Sequence, residues 1–301
     1  MEIPEPVRLR AIAGGDQGRA WLASLPALAD GLAERWGLRL GGILTGGTEA
    51  LVLEAWLADG RAAVLKLAPP VADPAAGERR TLLAADGRGY ARVYRHDDAA
   101  GALLLERLGR QLAQTGWPLD EQLAALSTTL LEAWTAPPPP GLMNGEEKAR
   151  SLAEFIAATW NDLGRPCSER VVDAALAFAA ERGRAFDPDK AVLAHGDAHA
   201  WNALQAPDGQ FKLVDPDGLF IEPAYDLGIP MRERSRELLD GDPRELGRKR
   251  VATLSKLTGV PSGPIWQWGF IERVSTGLLC LSLGLDGGDE MLAVAEAWAA
   301  T

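Results

Sequence analysis

The chain has 301 residues, 47% hydrophobic and 24% charged, which is ordinary for a globular protein and long enough for a two-lobed enzyme with a sizeable core. A formal net charge of −11 argues against a nucleic-acid partner, since that binding rests on basic patches, and is compatible with a cationic small molecule. Cys167 and Cys280 stand far apart and support neither a disulfide framework nor a zinc spacing.

The chain opens on MEIPEPVRLR, which lacks a basic stretch followed by an apolar run, so no secretory signal is expected. No apolar stretch approaches the roughly 18 residues of a membrane span. A cytoplasmic protein with no membrane partner, monomeric or dimeric, is the expectation. Residues 16–36 predict a helix with Trp21, Leu25, Leu28, Leu32 and Trp36 on one face, restarted locally at Ser24-Leu25-Pro26. Three strands follow at 38–44, 50–57 and 61–67. The Asp59-Gly60 pair between the last two is a hairpin signal. Gly46, Gly47 and Thr48 lie in the first connection, where a hairpin turn and a phosphate-holding loop both fit the residues. Lys66 sits within an apolar strand on the face of Val64, and a lysine so placed needs either an escape to solvent or an anionic partner. Asp73-Pro74 predicts a helix start, with Glu78 one turn inside as the candidate partner of Lys66. A solvated acid favouring the helix dipole is the plainer reading of Glu78.

Strands are expected at 92–95 and 102–105, closing on Glu106-Arg107-Leu108-Gly109. Helices are expected at 119–134, 146–163, 168–184, 234–258 and 265–283, with Pro137–Pro140 as a stiff connector. Asp289 is expected to cap a final helix running past Trp298. There is neither an internal repeat nor a low-complexity tail.

Residues 192–226, VLAHGDAHAWNALQAPDGQFKLVDPDGLFIEPAYD, carry His195, His199 and the aspartates 197, 208, 215, 217 and 226. Short apolar runs at 191–194 and 211–214 predict strands, and Pro207-Asp208-Gly209 predicts a turn, which is the role assigned to Asp208. Strand, loop, strand, turn, strand and loop bring His195-Gly196-Asp197 near Asp215-Pro216-Asp217. Two acidic loops with Asn202 between them suit a hard cation such as Mg²⁺. A carboxylate left unligated can orient or deprotonate a hydroxyl. Phosphoryl transfer needs both functions.

The order H-G-D-x-H-x-x-N followed by D-P-D resembles the catalytic core of the aminoglycoside phosphotransferase and small-molecule kinase family. The run DPDGLFIEPAYDLG is most similar to its streptomycin 6-kinase and hydroxyurea-kinase branch. The resemblance is sharp over 190–230 and looser over 40–110. It implies a protein-kinase-like α+β fold, with a small antiparallel-sheet lobe at 1–108 and a larger, mainly helical lobe at 109–301. It implies Asp197 as catalytic base, Asn202 and Asp215 as Mg²⁺ ligands, and Asp217 as an additional metal or substrate contact. His195, His199 and Asp226 would brace the loop. Lys66, held by Glu78, would meet the nucleotide phosphates under Gly46, Gly47 and Thr48, and Glu106 and Leu108 would receive adenine by backbone groups. Trp201 stands where the family often has glycine. Trp160, Trp201, Trp266 and Trp268 lie near segments expected to face the cleft; core packing is the plainer reading for most of them, and Trp201 is the one taken as a substrate contact. Asp162, Glu222 and Glu272 are expected to offer carboxylates to a cationic substrate.

The implied activity is transfer from ATP, GTP not being distinguished, to a hydroxyl of a small molecule, with streptomycin and its 6-hydroxyl the first candidate. The rivals are a kinase for an endogenous amino alcohol, sugar or amino acid, a zinc hydrolase using His195, His199 and nearby acids, and a catalytically silent binding module.

Overall fold

The computed structural model describes residues 3–44, 50–69 and 74–300. Gly46, Gly47, Thr48 and Asp73 lie outside them. Two helices precede the first strand, α1 at Glu5–Ala13 and α2 at Gly15–Trp36. The first of these was not expected from sequence. It is a short helix with Pro6 in its first turn, and Val7 and Ala11, one turn apart, are its buried residues. It sits close on α2, where a Cβ at Gly18 would lie 1.7 Å from the Ala11 carbonyl oxygen. The expected restart at Ser24–Pro26 does not occur, because α2 runs through Pro26 without a break. Proline there removes one helical hydrogen bond. Burial of Trp21, Leu25, Ala29 and Leu32 along one face keeps the helix continuous through that gap.

β1 (Arg39–Ile43), β2 (Leu51–Trp56), β3 (Ala62–Leu67), β4 (Val93–Asp97) and β5 (Ala102–Glu106) form one antiparallel sheet in the order β1-β2-β3-β5-β4. Alternation divides the work of β3. Ala63, Leu65 and Leu67 bury in a cluster shared with α2, while Val64 and Lys66 line a cavity on the other face. α3 (Pro74–Ala85) connects β3 to β4.

The remainder is mainly helical. α4 (Leu119–Ala133), β6 (Met143–Asn144), α5 (Gly145–Asp162) and α6 (Glu169–Arg184) precede four short strands. These are β7 (Val192–Ala194), β8 (Ala203–Gln205), β9 (Phe211–Leu213) and β10 (Leu219–Ile221), followed by α7 (Ala224–Gly228) and a 3₁₀ turn at Ile229–Arg232. β7 pairs with β10 and β8 with β9, so the two acidic loops leave adjacent strand ends. α8 (Ser235–Leu239), α9 (Pro243–Thr258), α10 (Ser262–Leu283) and α11 (Gly288–Ala299) complete the chain.

The single helix expected over 234–258 is therefore two. Pro243 cannot donate to the preceding turn, and Asp242 caps α9 through the N–H groups of Arg244 and Glu245. Asp289 is not the cap of α11. Gly287 takes that place with φ +90°, and Asp289 lies in the first turn. α10 is the central helix, burying Ile265, Trp268, Phe270, Ile271, Val274 and Leu278. No described helix is long and apolar enough to cross a membrane.

Candidate active site

The catalytic-loop candidate is built on one buried acid. Asp226, in the first turn of α7, is fully buried. Its Oδ1 accepts the N–H of Gly196, and its Oδ2 accepts those of His195 and the Trp134 indole, all at 2.9 Å. Burial raises the Asp226 pKa above the usual carboxylate range, and these donors act in the opposite sense. The buried His195 ring receives the Asp197 N–H at Nδ1 (3.0 Å), so Nε2 carries the proton and donates to the Val214 carbonyl (2.8 Å). That bond ties the H-G-D loop to the strand leading into D-P-D. Gly218 N–H to the His195 carbonyl (3.1 Å) adds a second tie. Between them Gly196 adopts φ +92°, and a Cβ there would lie 2.7 Å from that of Asp217. Only glycine satisfies both conditions.

Asp197 then faces the cavity with both oxygens engaged. His199 Nε2 lies 3.1 Å from Oδ2, and Arg232 donates to Oδ1. Burial alone would raise the Asp197 pKa, but the His199 bond and the Arg232 charge outweigh it and hold the carboxyl well below its ordinary range. Asn202 donates through Nδ2 to the Asp197 carbonyl (3.1 Å), which leaves its Oδ1 with no donor among the described residues.

Across the cavity, Lys66 Nζ bonds Glu78 Oε1 at 2.7 Å and Asp215 Oδ1 at 2.6 Å. Burial would lower the lysine pKa, yet the two carboxylates raise it, so Lys66 stays charged. The same charge lowers Asp215 against the effect of burial. Asp215 takes φ +56°, a strained value for a residue with a side chain. α3 presses directly on this loop. A Cβ at Gly77 would lie 2.1 Å from the Asp217 carbonyl oxygen, and one at Gly218 would lie 2.2 Å from Thr81 Oγ1. Two glycines thus let Glu78 reach Lys66 while the acidic loop sits beneath its helix. Asp217 is raised above the usual carboxylate range, first by burial, with Lys148 opposing.

Lys66, Glu78, Glu106, Leu108, Asp197, His199, Trp201, Asn202, Asp215 and Asp217 all line one cavity of about 1000 Å³ between the five-stranded sheet and the helical part. At its rear, the Glu106 carboxylate bonds Arg92 N–H (2.7 Å) and Lys212 Nζ (2.5 Å), which fixes the strand end. Gly109 N–H to the Gln205 carbonyl (2.6 Å) and Ala113 N–H to the Ala200 carbonyl (3.0 Å) stitch the next segment to the catalytic loop. The Leu108 N–H, just ahead of that segment, bonds no other backbone group among the described residues. The oxygen donors of Asn202, Asp215 and Asp217 suit a hard divalent cation. Zinc fits poorly, because both ring nitrogens of His195 are already used.

The sequence profile of the aminoglycoside/hydroxyurea antibiotic resistance kinases matches residues 35–277. This chain belongs to that family. It is 32% identical to the streptomycin 6-kinase of Streptomyces griseus, over 95% of this chain and 93% of that one. It is 33% identical to the hydroxyurea phosphotransferase of Kitasatospora aureofaciens, over 75% of this chain and 67% of that one. Among solved structures, a choline kinase of Streptococcus pneumoniae superposes with a TM-score of 0.59 at 14% identity, covering 91% of this chain and 96% of that one. A spectinomycin phosphotransferase solved with ADP and spectinomycin superposes with a TM-score of 0.56 at 14% identity, covering 91% and 93%. The fold is the protein-kinase-like one of these phosphotransferases, and the chain is a small-molecule phosphotransferase.

Family membership does not rescue every expected substrate contact. Glu222 accepts from Arg182 (3.3 Å) and from the Trp268 indole (2.9 Å), and Glu272 accepts from Tyr225 and Arg232. Asp162 is exposed at the end of α5. None of the three lines the cavity. Of the tryptophans expected at the cleft, only Trp201 lines it, half exposed. Trp160 donates to the Cys167 carbonyl (3.0 Å), Trp266 packs on Trp298 (4.6 Å between centroids), and Trp268 is fully buried. Sequence reasoning missed Arg232. The available signal was Glu272, an acid inside an apolar helix, which requires a buried cation.

Proposed function

We propose that the protein transfers the γ-phosphoryl group of ATP to a hydroxyl of a small cationic acceptor in the cytoplasm, with streptomycin and its 6-hydroxyl the first candidate. The observation that carries this reading is the convergence of Lys66, Asp197, Asn202 and Asp215 on one cavity. The nearly full-length likeness to a streptomycin 6-kinase supports the acceptor. In this reading the division of labour follows the two halves of the cleft, 1–108 holding the nucleotide and 109–301 the acceptor. Lys66, kept charged by Glu78, meets the phosphates. Glu106 and Leu108 receive the base through backbone groups, and the Leu108 N–H is available for that bond. Asn202, Asp215 and Asp217 would hold Mg²⁺, which when bound neutralises charge on the phosphates. Asp197 stays ionised and orients the acceptor hydroxyl by accepting its hydrogen bond; its low pKa makes it a poor standing proton sink. His195, His199 and Asp226 keep it in place, and Trp201 offers an aromatic face to the acceptor or to the nucleotide sugar.

A second reading, an endogenous amino alcohol, sugar or amino acid as acceptor, draws support from Glu222 and Glu272. The carboxylates expected to receive guanidinium groups are spent inside the protein. ADP release from Mg-ATP, measured with and without streptomycin, separates the two. Stimulation with a product heavier by one phosphate supports streptomycin. Absence of stimulation alongside Mg²⁺-dependent nucleotide binding discards that acceptor. Asp197→Asn is expected to abolish turnover and leave nucleotide binding intact, and retained turnover would remove Asp197 from its role.

A further inference from the structure

The structure points to a positioning residue for the transfer that lies outside every motif of the sequence. We infer that Arg232 and His199 each hold one oxygen of the Asp197 carboxylate, so that Asp197 meets the acceptor hydroxyl in a single orientation. The inference rests on Asp197 as the group that receives that hydroxyl.

Arg232 ends the 3₁₀ turn after α7 and is largely buried, its side chain 14% exposed. Its Nη2 donates to Asp197 Oδ1, and its Nη1 donates to Glu272 Oε2 at 3.1 Å and reaches Thr276 Oγ1 at 3.5 Å. Glu272 and Thr276 lie one turn apart on α10 and so present both acceptors on one face. The other Glu272 oxygen accepts the buried Tyr225 hydroxyl. A guanidinium with two carboxylates and a hydroxyl around it is fixed in a plane, which a lysine ammonium would not be.

The backbone beneath Arg232 is clamped as well. Arg250 of α9 donates to the carbonyls of Pro230 (3.2 Å) and Glu233 (2.8 Å). Arg273 of α10, fully buried, donates to the Met231 carbonyl (2.6 Å) and to Ser235 Oγ (2.8 Å). Two buried guanidinium groups thus grip the turn on both sides of Arg232. Just beyond it, Arg234 sits at φ +55°, a conformation that persists only where surroundings over-determine it. Burying three arginines is costly, and a buried ion pair is a poor device for stability alone. It is a good device for holding one carboxylate still. With Oδ2 on His199 and Oδ1 on Arg232, the carboxylate cannot rotate without breaking a bond, and each oxygen keeps acceptor capacity for the hydroxyl.

The test compares Arg232→Ala, Arg232→Lys, Glu272→Gln and Asp197→Asn with the parent. Nucleotide titration, thermal melting and ADP release with streptomycin, or with water as acceptor, are read for each. Crystal structures of the parent and Arg232→Ala with Mg-ADP supply an acceptor-independent reading. The expectation for Arg232→Ala is a roughly 100-fold lower kcat, the size of effect a misplaced reacting group produces. KM for ATP should stay within about twofold, and added guanidinium ion should partly restore the rate. Glu272→Gln should lie between parent and Arg232→Ala, and Asp197 should be turned away from its parental rotamer in the Arg232→Ala crystal. Unchanged kcat in Arg232→Ala, or an unmoved Asp197 side chain, overturns the inference while Asp197→Asn stays inactive. Activity in Asp197→Asn would instead overturn the reading beneath it. A variant that melts early and shows proportional loss of active sites, with kcat per active site intact and no guanidinium rescue, marks a merely structural arginine and likewise overturns it.

Discussion

Replacing Asp226 with asparagine tests whether the catalytic loop hangs from one carboxylate. Three N–H groups converge on its two oxygens at 2.9 Å. An amide cannot receive all three, because its nitrogen must stand where one oxygen stood. The cheapest rotamer puts the nitrogen opposite Gly196 and keeps the oxygen for His195 and Trp134. That leaves one buried N–H unsatisfied, at about 1–3 kcal/mol. It also turns two charge-assisted bonds into neutral ones, at about 1 kcal/mol each. Losing the buried charge returns part of this, since burial opposes the carboxylate. A net loss of about 3 kcal/mol follows, which for a chain of this size lowers Tm by roughly 6 °C. Trp134→Phe removes one donor and leaves the acid two, so its cost is about 1–2 kcal/mol. Denaturant unfolding and thermal melting of both variants, with kcat for each, decide the matter. Asp226→Asn should be the less stable of the two and should lose turnover well beyond its loss of folded fraction, because Gly196 is released from the loop that aims Asp197. A melting point within about 1 °C of the parent with turnover intact would refute the reasoning. So would a larger cost for Trp134→Phe.

Lys66→Met should raise KM for ATP and lower kcat together, measured by ADP release, since it removes the charge between Glu78 and Asp215. Gly218→Ala places a methyl 2.2 Å from Thr81 Oγ1 at φ +75° and should destabilise the fold by about 2 kcal/mol or more in denaturant unfolding. The paired variant Gly218→Ala with Thr81→Ala should recover only the Thr81 part, leaving the 2.9 Å approach to the Gly77 carbonyl oxygen and the backbone strain. The Cys167 thiol is pushed up to about 11 by burial and then by Glu296. Its thiolate is therefore scarce at pH 8, and alkylation followed by mass spectrometry should accelerate about tenfold per pH unit up to that value. A pH-independent rate would contradict it.

How much of this was legible before the fold was known differs element by element. The antiparallel sheet was readable because its strands are short apolar runs punctuated by Asp59-Gly60 and similar turns. The helix at α1 was not, since Val7 and Ala11 give only two apolar positions and their burial depends on α2. The split between α8 and α9 was marked by Asp242-Pro243, a signal present in the chain but outweighed by the continuing mixed-charge pattern. At the site, Asp197, Asn202 and Asp215 were nominated from motif order, Lys66 as a lysine inside an apolar strand and Glu78 as its candidate partner one turn into the next helix, and the fold brings all five to one cavity. Asp162, Glu222 and Glu272 were named for lying in the same helical lobe as the motif, and three of the four tryptophans took the core-packing reading. Proximity in sequence says nothing of which way a side chain turns.

The sequence by itself determined the local chemistry: which loops carry acids, where glycine is required, and which strand holds a lysine that needs a partner. These follow from residue type and spacing within a few positions. Tertiary structure alone decided which charges are spent on the protein itself. Glu222 is consumed by Arg182 and Trp268, and Glu272 by Tyr225 and Arg232, partners 40 to 47 positions away in the chain. Arg232 reaches Asp197 across 35 residues, and Lys66 reaches Asp215 across 149. Such pairings are fixed by the packing of α10 against the turn at 229–232 and of α3 against the D-P-D loop. Burial makes an unpartnered charge too costly to keep, so the fold had to choose the partners.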